Sequence, residues 1–410
     1  MKARRGKQKK TKKLQAQGKR YYDYKLLFVI VFLSCFGLVM VYSASYYTGL
    51  LQNPPDALKF VKRQAEAMLA GAVIMIVISR IDYHRLMKAA PFAYVSSIIL
   101  MLLVNFTSFG FEVNGKKRWF GIKIGSHKIS LFQPTEYVKL ALIITFAYVI
   151  VKVLKKIDRG KTAAFLFVLA AIPGALVMKN NLSSGIIIFL IVYIMYFVAS
   201  RKKKKFAILT GAVVGGGALA VVLGEWLVKI NVLQAYQLSR INVWLDPASS
   251  ASNEGYQVMQ GLYAIGSGGL FGKGLGNSIQ KLGFVPEASN DMIFSIICEE
   301  LGFFGAVCVI VLFVFLIYRF LIIALNAPDL TGALLVTGVM AHISVQVVLN
   351  IAVVTNVIPN TGVTLPFISY GGSSMLFLMT EMGIVLGVSN QIVFENEQVP
   401  VPGAKKNEQS

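Results

Sequence analysis

Acidic residues are scarce in this chain, 19 Asp and Glu against 41 Lys and Arg in 410 residues, and charged residues of either sign make up only 15%. That excludes an ordinary soluble domain of this length, whose surface would carry more charge and whose apolar runs would be shorter. Cysteine is scarcer still. Cys35, Cys298 and Cys308 all fall in apolar stretches with no C-x-x-C pair, which excludes a disulfide framework and a zinc site and leaves core packing. The three histidines are scattered along the sequence and suggest no metal cluster. A cleaved leader is not expected either. The first apolar run is too long for one, lacks a small-residue cleavage site close behind it, and reads as a retained span.

Apolar side chains, by contrast, are 56% of the chain, and the mean hydropathy is +0.65. Several runs reach the roughly 20 residues that cross a bilayer, such as LLFVIVFLSCFGLVMVYSA. The pattern predicts an all-α polytopic membrane protein of ten spans, at about 26–45, 64–80, 90–106, 131–152, 163–179, 185–200, 206–226, 291–318, 331–353 and 366–390. An even number puts both termini on one side. Residues 1–20 hold ten Lys or Arg and no acid, almost half of the net charge of +22, and RIDYHRLMK, KVLKKIDRGK and RKKKK fall on that same side. Both tails are therefore expected in the cytoplasm. The chain divides into a basic tail (1–25), a ten-span domain (26–390) and a C-terminal tail (391–410), with a large outer loop, about 227–290, between spans seven and eight. The basic tail reads as a topology anchor on anionic lipid, and no compact fold accompanies it to suggest nucleic-acid binding.

Two outer loops are unusual. VNGKKRWFGIKIGSHKIS (113–130) is basic although the charge rule disfavours that location: Lys116, Lys117, Arg118, Lys123 and Lys128 surround Trp119 and Phe120. Two readings fit. One is an interfacial aromatic belt. The other is a pocket for an anionic lipid headgroup, with the cations on phosphate oxygens and Trp119 stacking on a sugar or anchoring at the surface. The second loop carries YQLSRINVWLDP, with Arg240, and then GYQVMQGLYAIGSGGLFGKGLGNS. GKGLGN superficially resembles a nucleotide-binding glycine loop, but no βαβ unit surrounds it. Its glycines are expected to let backbone fold back at the membrane surface.

Polar groups also enter the spans. FQPTEYVKLAL opens the fourth with Glu136 and Lys139 three residues apart, on one helical face, as a self-neutralising pair or as cavity lining. VPEASNDMIFSIICEEL sets Asp291 at the mouth of the eighth span and Glu299 and Glu300 in its body. Eight residues place Glu299 about 12 Å deeper than Asp291 and about 80° around the helix, while Glu300 points elsewhere. Intramembrane carboxylates face a bundle interior or a wet cavity. PFISYGGSS opens the tenth span, where Ser369, Gly371 and Gly372 are candidates for lining and for close helix approach.

The blocks FQPTEYVKL, GYQVMQGLYAIGSGGLFGKGLGNSIQKLGFVPEASNDMIF, EELGFFG and NVIPNTGVTLPFISYGGSS resemble the signature blocks of the SEDS family, the FtsW/RodA proteins, in the right order over about residues 25–390. GLGNSIQK and the PNTGVTLPF block are more similar to the division-type branch and its sporulation relative than to the elongation type. The resemblance implies a peptidoglycan glycosyltransferase that polymerises lipid II at the outer face of the bacterial cytoplasmic membrane, at the division septum. Its implied partners are a class B penicillin-binding protein and other divisome membrane proteins. Asp291 matches the family's essential aspartate, although Ser289 and Asn290 precede it where relatives have a His- or Gln-Thr pair. Asn181 stands where relatives commonly have aspartate and is not counted as catalytic.

The residues fit that chemistry. The donor sugar leaves with a diphosphate and needs no acid, so the reaction calls for a base at the acceptor 4-hydroxyl and positive charge for the departing diphosphate. Attack opposite an α-linked diphosphate gives a β-linked glycan with inversion. No organic cofactor is expected. A divalent cation, Mg or Mn, on the diphosphate is compatible with the chemistry, but no ligand spacing supports it. A lipid II transporter and a non-catalytic scaffold for the transpeptidase are the competing classes. Acids and bases at the outer surface rather than mid-membrane favour surface chemistry over transport. The charge asymmetry makes one direct prediction: with Ser252→Cys the chain reacts with an impermeant thiol reagent applied outside intact cells, and with Lys203→Cys it does not. Reversed labelling overturns the orientation.

Overall fold

The computed structural model describes residues 21–113, 116–124, 127–223, 235–248 and 253–393. The basic tail over 1–20, the C-terminal tail from 394, parts of the second outer loop and the side chains of Lys116, Lys123 and Lys128 lie outside the described set. Helices α1 (Tyr24–Leu50), α2 (Lys59–Ser79), the short α3 (Tyr83–Lys88) and α4 (Ala90–Phe106) precede an antiparallel sheet. The sheet comprises β1 (Gly110–Val113), β2 (Lys116–Ile124) and β3 (His127–Phe132) in sequential order. Next come α5 (Pro134–Val153), α6 (Gly160–Met178), α7 (Leu182–Ala199) and α8 (Lys204–Val222), followed by α9 (Ala235–Leu245) and α10 (Asn253–Ser267). The long α11 (Ile293–Leu325), α12 (Leu330–Val354) and α13 (Gly372–Ser389) end the described chain.

A helix occupies each of the ten predicted spans. Seven of the described helices (α1, α5, α6, α7, α11, α12 and α13) are long and apolar enough to cross a bilayer, and α4 is a shorter apolar helix. Their ends follow local chemistry. Asp23, Asn181 and Asp329 accept from backbone N–H groups in the first turns of α1, α7 and α12, and Pro134 starts α5. The burial pattern is the reverse of a soluble bundle. Phe28, Phe92, Phe303 and Phe304 point outward, while Glu136, Lys139, Glu299, Glu300, Arg319, His342 and Glu381 are buried. Hydrocarbon favours that order and water does not. The protein is a multi-pass membrane protein.

Hydrogen bonds gather the connections at two opposite ends. At one, Tyr21 N donates to Ile392 O, Arg319 holds Asp23 at 2.5 Å, Tyr83 donates to Asp329, and Ser200 donates to Asp158. The two ends of the described chain therefore meet, as an even number of crossings requires. At the other end, Arg118 meets Asn180, Ser183 meets Thr361, Trp244 meets Asn356, and Asn350 meets Asp291.

The all-α class holds, and within it the basic loop 113–130 is largely a small three-stranded sheet. Its residues alternate aromatic or β-branched with polar or small (Phe120, Ile122, Ile124 on β2 and Ile129 on β3), and Asn-Gly and Gly-Ser pairs, outside the described residues, separate the runs. One expectation is corrected, and it concerns where α2 and α13 come closest. This happens at Gly71 and Gly383, not at Gly371 and Gly372. A Cβ on Gly71 would sit 2.8 Å from Met379 Cγ, and one on Gly383 would sit 2.8 Å from Met75 O. At Gly371 and Gly372 the nearest atoms would be 3.4 and 3.6 Å away, in ordinary contact, because these residues form the entry to α13 before it closes on α2.

Candidate functional site

Glu299 and Glu300, the two acids in the body of α11, anchor the glycine-rich loop. After α10 the chain runs down beside α11, where Lys273 N donates to Glu299 O and Gly274 N to Glu300 O, both at 2.9 Å. α11 breaks at Gly302 (φ 69°), about 14 Å along from its first residue, and Phe303 and Phe304 donate to the carbonyls of Gly269 and Leu270. A Cβ on Gly272 would lie 2.2 Å from Glu300 O, so only glycine fits there. The side chains complete the clasp. Glu299 takes Lys273 Nζ at 2.6 Å, Ser278 Oγ and the N–H of Ile279, and Glu300 takes Lys281 Nζ at 2.8 Å and Ser43 Oγ at 2.6 Å. Glu299 thus belongs to a buried polar network, and in GKGLGN the N–H groups of Lys273 and Gly274 bind helix backbone.

The loop then climbs back to Asp291, in the turn before α11 and so just outside the span. Its backbone is held tightly. Asn350 Nδ2 donates to Asp291 O at 2.8 Å, Ser369 Oγ to Asn290 O at 2.7 Å, and Tyr370 N to Ser289 O at 2.9 Å. Its carboxyl is not: the residue is only 8% exposed, yet Oδ1 has no hydrogen-bond partner. Gln257 Nε2, Thr361 Oγ1 and Asn350 Oδ1 are also buried without partners. Thr361 precedes Gly362, where a Cβ would fall 3.7 Å from Asp291 Oδ2, and Asn360 donates to Gln257 Oε1. Such a knot of unanswered polar atoms is rare in a native interior. Burial pushes the Asp291 carboxyl up to about 7, and Glu287 adds to the rise, while Gln257 and the charge of Arg118 favour the ionised form.

Arg118 is the first candidate brought to Asp291, close enough for its charge to be felt there. A β-bulge places it, since Phe111 pairs with Trp119 and Glu112 with Lys117, leaving Arg118 as the extra residue. Its Nε donates to Asn180 O at 3.3 Å, and Asn180 Nδ2 donates to Lys117 O and to Asn105. Phe120, Phe132 and Phe377 then pack the sheet against α13. Trp119 is half-buried, and Lys117 neighbours the bulge. Arg240, half-buried on α9, lies one turn before Trp244, whose Nε1 donates to Asn356 O. Ser369 and Gly371 shape backbone: Ser369 Oγ accepts from Leu365 N, and Gly371 N donates to Gln64 Oε1. Asn181 caps α7. Among the described residues, no three His, Cys, Asp or Glu side chains are grouped to hold a metal.

Glu136 and Lys139 do come together, at 2.9 Å, but not onto Asp291. They are buried among α5, α12 and α13, where Ser374 reaches Glu136 and Lys139 Nζ donates to Gln346 Oε1 at 3.2 Å. His342 adds to this cluster, 2.9 Å from both Glu381 and Gln346. Sequence reading missed His342, Gln346, Asn350 and Glu381. The signal was present, as three polar residues four apart in an otherwise apolar span.

The fold and site define a multi-pass membrane protein in which, among the described residues, one buried carboxyl at an end of the bundle lacks a basic partner, beside a bulged basic strand. A family model described as a cell cycle protein, covering FtsW, RodA and SpoVE, matches residues 24–393. A probable peptidoglycan glycosyltransferase FtsW of Trichlorobacter lovleyi is 38% identical over 90% of this chain and 93% of its own length. Stage V sporulation protein E of Bacillus subtilis is 36% identical over 90% and 96%. Among solved structures, a chain of a peptidoglycan synthase complex that coordinates polymerization and crosslinking superimposes with a TM-score of 0.71 at 27% identity, over 90% of this chain and 97% of that one. The rod-shape-determining protein RodA of Thermus thermophilus gives 0.62 at 26%, over 90% and 97%. The chain belongs to the FtsW/RodA/SpoVE family.

The buried pair makes a stability prediction. Lys139→Met strands Glu136 in the bundle and costs about 3–5 kcal/mol, whereas Glu136→Gln with Lys139→Met costs much less. Thermal unfolding of the detergent-solubilised variants checks this, and equal losses in the two would deny the pair its structural role.

Proposed function

We infer that this chain polymerises lipid II into β-1,4-linked glycan at the outer face of the cytoplasmic membrane, with Asp291 as the base that takes the proton of the acceptor 4-hydroxyl. The chain is a peptidoglycan glycosyltransferase of its family, and the roles of individual residues are what this reading adds. One observation carries it: Asp291 is a buried carboxyl with an unpartnered oxygen and no cation bonded to it, at the end of a span. Every other buried acid among the described residues has a basic side chain within 3 Å.

Burial that raises the carboxyl to about 7 suits a group that must accept a proton near neutral pH and later release it. Arg118 and its neighbours on β2 supply positive charge for the departing diphosphate, with Trp119 beside them. The position of Arg118 favours this over the reading as an interfacial belt, because it lies near enough for its charge to be felt at the acid. The long carbonyl-held turn fixes the base without neutralising it, which an ion pair would do. The tail end of the bundle, with its basic connections, then faces the cytoplasm. A synthase complex among the structural neighbours supports a penicillin-binding transpeptidase of class B as the partner, and the division-type relatives support a place at the septum.

Asp291→Asn keeps shape but cannot accept the proton. It lowers lipid II polymerisation by about 10²–10⁴ while leaving insertion and partner binding intact. The wild-type rate rises with pH through about 7, because the protonated carboxyl that predominates below that value is inactive and the ionised form above it is active. A wild-type rate in the variant, or a rate that falls with pH over this range, overturns the assignment. Arg118→Ala weakens lipid II use in a folded protein, and unchanged kinetics would return the sheet to a surface-anchoring role.

A further inference from the structure

α12 carries His342, Gln346 and Asn350 at intervals of four residues, so the three side chains line one stripe of the helix. Each is almost wholly buried. Each also reaches a different segment of chain. His342 holds Glu381 of α13, Gln346 Nε2 donates to Thr364 O at 3.0 Å, and Asn350 Nδ2 donates to Asp291 O at 2.8 Å and to Val363 O at 2.7 Å. One amide thus ties the turn bearing Asp291 to the segment bearing Thr361 and Gly362. The carbonyls of Val363 and Thr364, adjacent in sequence, are held by residues one helical turn apart.

The orientation of this amide is forced. Both carbonyls are acceptors, so the NH₂ group must face them, and turning the amide over would set oxygen against two oxygens. Oδ1 is left buried and unpartnered on the far side, a cost that packing alone does not explain. Serving two carbonyls of different segments accounts for it.

We propose that Asn350 is a positioning residue for Asp291, fixing the backbone from which the carboxylate is presented, with Gln346 holding the facing segment in register. This rests on Asp291 as the base. Through Gln346 Oε1 the same stripe receives Lys139 Nζ and His342 Nε2, so the Glu136–Lys139 pair acts on the site through the backbone of residues 363 and 364 rather than by contact with Asp291. With the amide gone, two carbonyls lose their donor, the turn relaxes toward solvent, and the carboxylate is misplaced. A displacement of about 1 Å costs on the order of 10² in rate.

The test uses the full-length membrane protein with its transpeptidase partner and lipid II, comparing Asn350→Ala and the isosteric Asn350→Asp with wild type and with Asp291→Asn. Rates are taken per folded molecule. The Asn350 variants are expected to lose about 10² in kcat with little change in KM. The pH at half-maximal rate should move below about 7, as the carboxyl regains water. A residue that merely stabilises the bundle would lower the folded yield and leave the pH profile alone. Ser369→Ala, which releases the Asn290 carbonyl and the Leu365 N–H but leaves the Asp291 carbonyl held by Asn350, should move kcat and the pH profile in the same direction by less, and it serves as the reading if neither Asn350 variant folds. Unchanged kcat and pH midpoint per folded molecule, or a loss confined to KM, overturns the proposal. If those results accompany an inactive Asp291→Asn, the base assignment survives. If Asp291→Asn polymerises at the wild-type rate, the base assignment falls and takes the positioning role with it.

Discussion

A charge inside an apolar bundle has to be answered by another group of the protein, since no water reaches it and an unanswered ion costs several kcal/mol. This requirement organises the molecule. Asp23 is answered by Arg319, which draws the start of α1 against the end of α11. Glu299 and Glu300 are answered by Lys273 and Lys281, which lie twenty or so residues earlier in sequence and reach them only because the glycine loop folds down along α11. Glu381 is answered by His342, and Glu136 by Lys139. The placement of acids along an apolar helix is therefore a record of which segments must pass beside it.

Against this background Asp291 stands apart, and the difference comes from backbone rather than from side-chain pairing. Its segment is secured by Asn350, Ser369 and Tyr370 through carbonyl and amide groups, so the carboxyl can stay unpaired without the turn coming loose. The two glutamates below contribute to the same end. By clamping residues 273–281 they set the point from which the chain returns to the head of α11. A structural use of two carboxylates thus prepares the chemical use proposed for the third.

Much of this was legible in the sequence, and what was not has physical reasons. Apolar runs of bilayer length pointed to a helix at each of the ten positions, seven of them long and apolar enough to cross a bilayer, because that signal is additive along the chain. Asp291 was legible because a carboxylate at the mouth of an apolar run is costly wherever the rest of the chain lies. The sheet is hard to see in the sequence, because its strands are short and the bulge at Arg118 breaks their alternation. Gly371 and Gly372 were read as a helix contact, whereas Gly71 and Gly383 make it. A glycine in sequence does not show whether its missing side chain faces a neighbour or the end of its own helix. The link between Lys139 and Gln346 joins residues more than two hundred positions apart, and no local pattern encodes such a meeting.

The arrangement also suits the proposed base to a turn rather than to the helix. Inside α11 a carboxylate would need a cation close by, as Glu299 and Glu300 have, and that cation would occupy it. In an apolar setting with no support it would simply stay protonated. The turn before Ile293 lies between these limits. It is buried enough for desolvation to lift the carboxyl to about 7, with the charge of Arg118 offsetting part of that and Glu287 opposing it. The group is thus balanced near neutrality by several modest influences rather than fixed by one strong partner. Such a balance depends on position, because each influence falls off with distance. The rigid backbone clasp from α12 is therefore part of what sets the acid's chemistry, not only its place.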